Sequence, residues 1–258
     1  MTVAMTVFFI VFWFCKSRCG GPVLSMNVHV LVPAAGAGRR IGTRVKKQYL
    51  ALGDRPLLAV TLLRLAGHPR VTSIQVIAPE PEQDFCRKEV IEKYRIKKVA
   101  GVVVGGEERQ DSVYNGLSAC LADDDDIVLI HDGVRPFFPR EQISPLIDAA
   151  TTYGAGLLAV PAQDTVKEVV DGQVARTMDR QLLWLAQTPQ AFRFGLILEA
   201  HRRARRAGYR GTDDASLVEW CGWPVAVVAG SAYNLKVTTP ADLVLARTML
   251  ASDQMELT

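Results

Sequence analysis

From Asn27 onward, short apolar runs rich in β-branched residues alternate with stretches of helical periodicity. The runs Val28–Val32, Ser73–Ala78, Val99–Val104, Ile127–His131, Gly156–Val160 and Val225–Val228 predict strands. Between them, Leu57–Ala66 is apolar almost throughout, as suits a helix packed on a sheet. Glu108–Leu121 sets Val113, Leu117 and Leu121 on one stripe at i, i+4 and i+8. Thr239-Pro240-Ala241-Asp242 reads as a helix start, with Thr as N-cap, Pro at the first helical position and an acid at the third.

Alternation of this kind predicts an α/β fold, a Rossmann-like, mostly parallel twisted sheet with helices on both faces. Ligands of such sheets sit at the carboxyl ends of the strands. One stretch, residues 162–190, breaks the pattern. It holds Asp171-Gly172 between the β-like runs ending at Lys167 and beginning at Val174, which is a hairpin signal. A hairpin inserted there would project as an arm; the competing reading is a surface hairpin with no role. Asp123–Asp126 reads as a solvated acidic loop before a strand.

The amino terminus calls for separate treatment. Val3 to Cys15 is almost wholly apolar, about 13 residues, short of the roughly 20 needed to span a bilayer. The positive charge, at Lys16 and Arg18, follows the apolar run where a signal peptide would have it first. Met26 stands directly before the first predicted strand, so residues 1–25 read as a doubtful extension with a possible mis-assigned start, and 26–258 as the functional domain. A weak membrane anchor is the competing reading of that run; no membrane partner is otherwise expected.

With 258 residues, the chain has room for one large α/β domain or two small ones. A formal net charge of +3 is too small to argue for a nucleic-acid coat. Cys15, Cys19, Cys86, Cys120 and Cys221 are scattered. Cys15 and Cys19 have no second pair and no nearby His, which argues against zinc. An odd count with no disulfide framework fits a reducing cytoplasm.

The strongest chemical feature is Val30-Leu31-Val32-Pro33-Ala34-Ala35-Gly36-Ala37-Gly38-Arg39-Arg40, continuing to Lys46-Lys47-Gln48-Tyr49-Leu50. A buried strand runs into a loop of small residues, and basic side chains follow. Small residues let the backbone approach a ligand, and successive N–H groups can cradle phosphate oxygens. Two common nucleotide motifs fail on counting. The dinucleotide fingerprint needs glycine where Ile41 stands, and the P-loop fails because positions 41 and 43 are Ile41 and Thr43. A nucleotide loop of another kind is left, and an NAD-dependent oxidoreductase is disfavoured.

This loop, with Lys-Gln-Tyr-Leu after it, resembles the signature of the 2-C-methyl-D-erythritol 4-phosphate cytidylyltransferases, enzymes of non-mevalonate isoprenoid synthesis. Further segments match in order: Gly105-Gly106-Glu107-Glu108-Arg109-Gln110-Asp111-Ser112-Val113, His131-Asp132-Gly133-Val134-Arg135-Pro136, Asp164-Thr165-Val166-Lys167, Asp179-Arg180, Thr188-Pro189-Gln190, Thr212-Asp213-Asp214-Ala215-Ser216 and Asn234-Leu235-Lys236-Val237-Thr238. The resemblance covers residues 28 to about 250. It implies transfer of CMP from CTP to the sugar-alcohol phosphate with release of pyrophosphate.

By the same resemblance, Ala34, Ala35, Gly36 and Gly38 wrap the triphosphate, and Arg40, Lys47 and Lys236 stabilise charge around the α-phosphorus. Gly105, Gly106 and Ser112 match the cytosine-recognising stretch. Asp132 would help hold ribose, metal or sugar-alcohol hydroxyls, and Arg135 would face the second substrate. Thr165 and Arg180 lie in the arm, which in the family embraces a second subunit and contributes to the neighbour's site. Mg²⁺ is expected mainly through the CTP phosphates, with no dedicated protein ligand set, and the assembly is expected to be a homodimer.

Two departures stand out. Gly133 replaces the alanine more often found after the aspartate, and Lys46 replaces a proline before the phosphate-facing lysine, leaving open which of the two lysines reaches phosphate; Lys47 is favoured by its place before Gln48-Tyr49. The rival readings are a ribitol 5-phosphate cytidylyltransferase and a catalytically dead nucleotide-binding scaffold. Arg40, Lys47 and Lys236 are all present, against the second.

Overall fold

The computed structural model describes residues 26–36 and 46–252; the doubtful extension 1–25, and with it Gly38 and Arg40 of the expected site, lie outside the described residues. The elements in chain order are β1 (Val28–Pro33), β2 (Ala51–Leu52), β3 (Arg55–Pro56), α1 (Leu57–Ala66), β4 (Ser73–Ala78), α2 (Gln83–Phe85, widening into a π-wound stretch Cys86–Glu92), β5 (Val99–Val104) and α3 (Arg109–Ala119). They continue as β6 (Ile127–Ile130), α4 (Ile143–Tyr153), β7 (Ala155–Pro161), β8 (Lys167–Val170), β9 (Gln173–Thr177), β10 (Trp184–Arg193), α5 (Phe194–Ala207), α6 (Asp214–Trp220), β11 (Ala226–Ala229) and α7 (Pro240–Ala251).

Seven strands form one sheet in the order β11-β7-β10-β6-β1-β4-β5. All neighbouring pairs are parallel except those made by β10, which runs antiparallel to both β6 and β7. Alternating side chains of β1 and β6 feed opposite faces. Val28, Val30, Val32, Ile127 and Leu129 join Leu58 and Leu62 of α1 and Leu146 of α4. Leu31, Val128 and Ile130 join Val113 of α3, Ile197 of α5 and Leu217 of α6. A third, smaller cluster packs Ala246 of α7 onto Leu52, Leu57, Phe137 and Val237. A strand buried on both faces takes mostly apolar residues, which is why β6 reads as a continuous run and β1 is broken only by His29.

The predicted strands and helices are present, with shifts of a residue or so at their ends. The stripe on α3 is shorter than expected. The helix ends at Ala119, so Leu121 falls beyond it and is 95% exposed. Packing on that face runs through Gly116 as well, where a Cβ would come within 2.6 Å of Ile77 Cδ1. Asp126 also departs from a solvated loop. It is buried and accepts from the amides of Asn27 at 2.8 Å and Asp123 at 3.1 Å, while Asp123, Asp124 and Asp125 stay exposed.

The hairpin forms at Asp171-Gly172, where φ is +49° and +78°, the left-handed pair that a two-residue turn with the twist of its strands requires. The projecting segment is shorter than the 162–190 anticipated. From Trp184 the chain is already β10, and Gln187–Phe192 lies buried in the middle of the sheet. Pro189 argues against a central strand by sequence alone; the register with β7 shifts between Ala186 and Gln190, and that irregularity accommodates it. Among the described residues, no helix is long and apolar enough to cross a membrane.

Candidate active site

The carboxyl ends of β1, β5 and β6 open on one cavity of about 520 Å³. Its lining includes Ala34, Ala35 and Gly36 after β1, Gly106 and Ser112 around the start of α3, and Asp132 after β6. Lys47, Gln48, Arg109, Lys236 and Thr238 add to the polar wall, as do Glu107 and Glu108. β1 lies between β4 and β6, the point where successive crossovers leave in opposite directions, and crevices of open α/β sheets form there.

The first loop is held from outside. Ala34 donates its amide to Ile77 at 2.8 Å, and the buried Gln48 donates from Nε2 to the Ala34 carbonyl at 2.8 Å. Lys47 runs along Gly36, its Nζ 3.7 Å from where a Cβ on that glycine would sit. Lys46 is instead ion-paired with Glu82. Of the two adjacent lysines, Lys47 is therefore the one in the cavity.

The second loop depends on close approach. A Cβ on Gly105 would lie 2.7 Å from Ala35 Cβ, so the two loops could not touch. Gly106 donates its amide to Ser112 Oγ at 3.0 Å. Ser112 is almost wholly buried, so its hydroxyl shapes this loop from beneath.

Asp132 is the electrostatic centre. Lys236 Nζ lies 2.7 Å from Oδ2, Arg109 Nε 3.3 Å from Oδ1 and Arg135 Nε 3.6 Å from Oδ2. Burial alone would raise the Asp132 pKa, but Arg109, Lys236 and Arg135 together hold it well below the ordinary carboxylate range. Arg109 reaches a second buried acid, with Nη1 2.8 Å from Asp214 Oδ2. Burial works against the Arg109 charge, yet Asp214 and Asp132 outweigh it and push its pKa above the usual arginine value. Asp214, 1% exposed at the first turn of α6, also meets His201 Nε2 of α5 at 3.2 Å. Gln190 of β10 fixes that turn, donating to Asp213 at 2.7 Å and accepting from the Ala215 amide at 3.1 Å.

Beneath Asp132 the hydrogen bonds run in one direction. The Asp132 amide donates to Thr188 Oγ1 at 3.1 Å, and that hydroxyl lies 3.2 Å from His131 Nδ1. His131 Nε2 is 3.0 Å from the Arg135 carbonyl, so a proton on Nε2 leaves Nδ1 as acceptor and satisfies every group. Complete burial pushes the His131 pKa down to about 4, which keeps the ring neutral.

Not every expected residue reaches the cavity. Arg135 turns inward: its Nη1 donates to the Asn234 carbonyl at 2.7 Å, so it braces the segment carrying Lys236, and it is not among the residues lining this cavity. Asn234 in turn donates to the Thr188 carbonyl at 2.8 Å. The α7 start holds the other end of that segment, Asp242 accepting from the amides of Thr238 and Thr239, each at 2.8 Å. Thr165 and Arg180 are exposed in the arm, where Arg180 Nη1 donates to the Gln163 carbonyl at 2.8 Å. Arg109, Gln48 and Asp214 had no role assigned by sequence reasoning. All three sit inside matching segments, Gln48 in the Lys-Gln-Tyr-Leu run, and that was the available signal.

The family model described as 2-C-methyl-D-erythritol 4-phosphate cytidylyltransferase matches residues 28–252. The chain belongs to this family. An enzyme of that name from Syntrophotalea carbinolica is 56% identical over 225 residues, 87% of this chain and 97% of the relative. One from Geotalea uraniireducens is 51% identical over 232 residues, 90% of this chain and 100% of the relative. Among solved structures, a 4-diphosphocytidyl-2C-methyl-D-erythritol synthase from Anaerococcus prevotii superposes with a TM-score of 0.77 at 30% identity, covering 88% of this chain and 97% of that one. The cytidylyltransferase from Thermus thermophilus superposes with a TM-score of 0.71 at 35% identity, covering 88% and 100%. The cytidylyltransferase family is one of nucleotidyltransferases, and this chain is accordingly an enzyme.

Proposed function

We propose that this cavity is where the family's reaction runs, with CTP laid across the β1 loop and Lys47 and Lys236 flanking its α-phosphate. Family membership makes the reaction a CTP-dependent cytidylyl transfer in the 2-C-methyl-D-erythritol 4-phosphate route to isoprenoids. A preference for ribitol 5-phosphate is not favoured by any of these matches. The observation that carries the reading is the entry of Lys47 and Lys236 into one cavity over glycine- and alanine-lined strand ends.

The substrate phosphate is itself the nucleophile, so no Ser, Cys or His need be activated. One of its oxygens attacks the α-phosphorus of CTP, a new P–O bond forms, and the bond to the β-phosphate breaks in line to release pyrophosphate. Negative charge builds on the oxygens around phosphorus, and fixed cations placed there stabilise the transition state more than the ground state. Lys47 is held on the Gly36 side of the cavity and Lys236 on the Asp132 side. Arg40, from the segment outside the described residues, is assigned to the same task. Gly105, Gly106 and Ser112 shape the base pocket, and Asp132 aims Lys236.

A divalent metal fits as a passenger of the nucleotide. Among the described residues no three His, Cys or carboxylate groups cluster as a ligand set, and Asp132 is already ringed by cations. Mg²⁺ characteristically takes one or two protein carboxylates and fills its remaining positions with phosphate and water. Arriving on the triphosphate, it would neutralise charge on the leaving pyrophosphate.

The arm belongs to the assembly. Val169, Val170, Val174 and Leu182 are exposed there, and Trp184 and Leu185 at the start of β10, an apolar surface that a second copy would cover. In a homodimer, Thr165 and Arg180 of one chain would meet the sugar-alcohol phosphate at the other's cavity, Arg180 as a bidentate phosphate clamp. A cytoplasmic setting is supported by the free thiols of Cys86, Cys120 and Cys221.

Pyrophosphate release from CTP, measured with 2-C-methyl-D-erythritol 4-phosphate and with ribitol 5-phosphate, tests the substrate. Faster turnover with ribitol 5-phosphate overturns it.

A further inference from the structure

Lys46 and Lys47 are neighbours whose side chains part. Lys46, at φ −65° and ψ 143°, precedes a single 3-10 turn, Lys47–Tyr49, and no side chain caps that turn. Its ammonium instead pairs with Glu82, at the end of the short turn Glu80–Glu82 that follows β4. The turn itself is closed by the Tyr49 amide on the Lys46 carbonyl at 2.9 Å and the Leu50 amide on the Lys47 carbonyl at 3.2 Å.

A 3-10 turn this short does not support itself, so side-chain anchors decide where it points. The later residues are anchored. Gln48 bonds to Ala34, and the Tyr49 ring meets Phe85 edge-on with centroids 4.8 Å apart. The residue just before the turn, Lys46, is anchored through Glu82. That carboxylate is well shielded, 16% exposed against 37% for Lys46, so salt screens the pair less than a surface one. Between these anchors, Lys47 lies against Gly36.

We infer that Glu82 is a positioning residue for the reaction: its ion pair with Lys46 fixes the start of the turn and so holds Lys47 over the phosphate loop. Glu82 does not line the cavity, so it acts through the backbone it orients. A proline at position 46 would impose nearly the same φ without any ion pair. Its covalent restraint should therefore replace the electrostatic one. The inference rests on the reading of Lys47 as a triphosphate cation.

The test compares kcat for CTP and 2-C-methyl-D-erythritol 4-phosphate in Glu82→Gln, Lys46→Pro, the double variant and Lys47→Ala. Displacement of a catalytic group by about 1 Å costs up to roughly 100-fold, so Glu82→Gln should lower kcat about tenfold or more. The double variant should recover most of that loss, which a merely structural role of Glu82 does not predict. An unchanged kcat in Glu82→Gln overturns the inference, as does a folded double variant no faster than Glu82→Gln alone. If the proline variants do not fold, the reversed pair Lys46→Glu with Glu82→Lys takes their place, with recovery supporting and a folded, slow protein opposing. Full activity in Lys47→Ala would remove Lys47 itself, whereas a slow Lys47→Ala with a fast Glu82→Gln removes Glu82 alone.

Discussion

The cavity and the arm are built on opposite terms. Around the cavity, a network of charged groups is paired within the same chain: Lys236, Arg109 and Arg135 surround Asp132, and Asp214 joins Arg109 to His201. The arm is a two-stranded ribbon with both strands exposed along their length and its apolar side chains uncovered. A ribbon of two strands is marginal in isolation. The charge network closes within a single chain, whereas the arm leaves an apolar surface that the proposed homodimer would cover. Electrostatic organisation is thus finished locally, whereas the substrate clamp proposed for Arg180 would need a second chain.

The largest expected effect lies in the buried network. Asp214→Ala leaves Arg109 without one acid and His201 without its partner, and removing one member of a buried pair costs about 3–5 kcal/mol. Chemical denaturation should show that loss, whereas a loss below about 1 kcal/mol, the range of exposed pairs, would put Asp214 on a par with the surface. Next is Lys47→Ala, expected to lower kcat by about 10²–10³-fold, as removal of one transition-state donor does, with thermal stability nearly unchanged. Steady-state pyrophosphate release reads it, and an unaltered kcat excludes Lys47 from the chemistry.

The acid response comes third. His131 is neutral in the folded protein with a pKa of about 4, against about 6.5 when unfolded, so the unfolded chain binds the extra proton in between. Stability from this group is full above pH 6.5 and is lost as pH falls towards 4, by up to about 3 kcal/mol. Asp132 and Asp214, held below the ordinary carboxylate range, keep their contribution over that window and surrender it only at lower pH. Urea titrations at pH 7 and 5 measure the slope, and His131→Asn should flatten it.

The arm gives a smaller effect of another kind. Leu182 is 78% exposed, and Leu182→Lys should weaken dimerisation by about tenfold or more, since burying such a side chain is worth about 1.5–3 kcal/mol. Sedimentation at falling concentration checks it, and an unshifted equilibrium places the interface elsewhere. The smallest effect belongs to Gly133→Ala. The new methyl would meet Leu58 Cδ1 at 2.9 Å and Val32 Cγ1 at 3.3 Å, contacts that Leu58 can relieve by rotating. A cost below about 1.5 kcal/mol and near-normal kcat are expected.

Much of this contrast was legible along the chain because short-range rules produce it. Asp171-Gly172 turns because both residues tolerate positive φ. Thr239 and Asp242 cap α7 reciprocally, each accepting from the other's backbone. The β6 run is apolar at every position because both of its faces are covered. β10 escaped notice because Pro189 is a local signal against a central strand, and its antiparallel place between β6 and β7 is a property of the assembled sheet. Leu121 followed the periodicity of α3 but lies past the helix end.

By itself, the sequence determined the α/β class and the strand-exit loops, because these depend on residue type and neighbours a few positions away, and its family resemblance singled out Lys47, Asp132 and Lys236. Tertiary structure alone decided that Lys46 goes to Glu82 while Lys47 enters the cavity, that Arg135 turns inward, and that Arg109 bridges Asp132 to Asp214. Those outcomes join segments dozens of residues apart. A charged side chain takes whichever opposite charge the packed chain brings within reach, and the linear order of residues does not encode that choice.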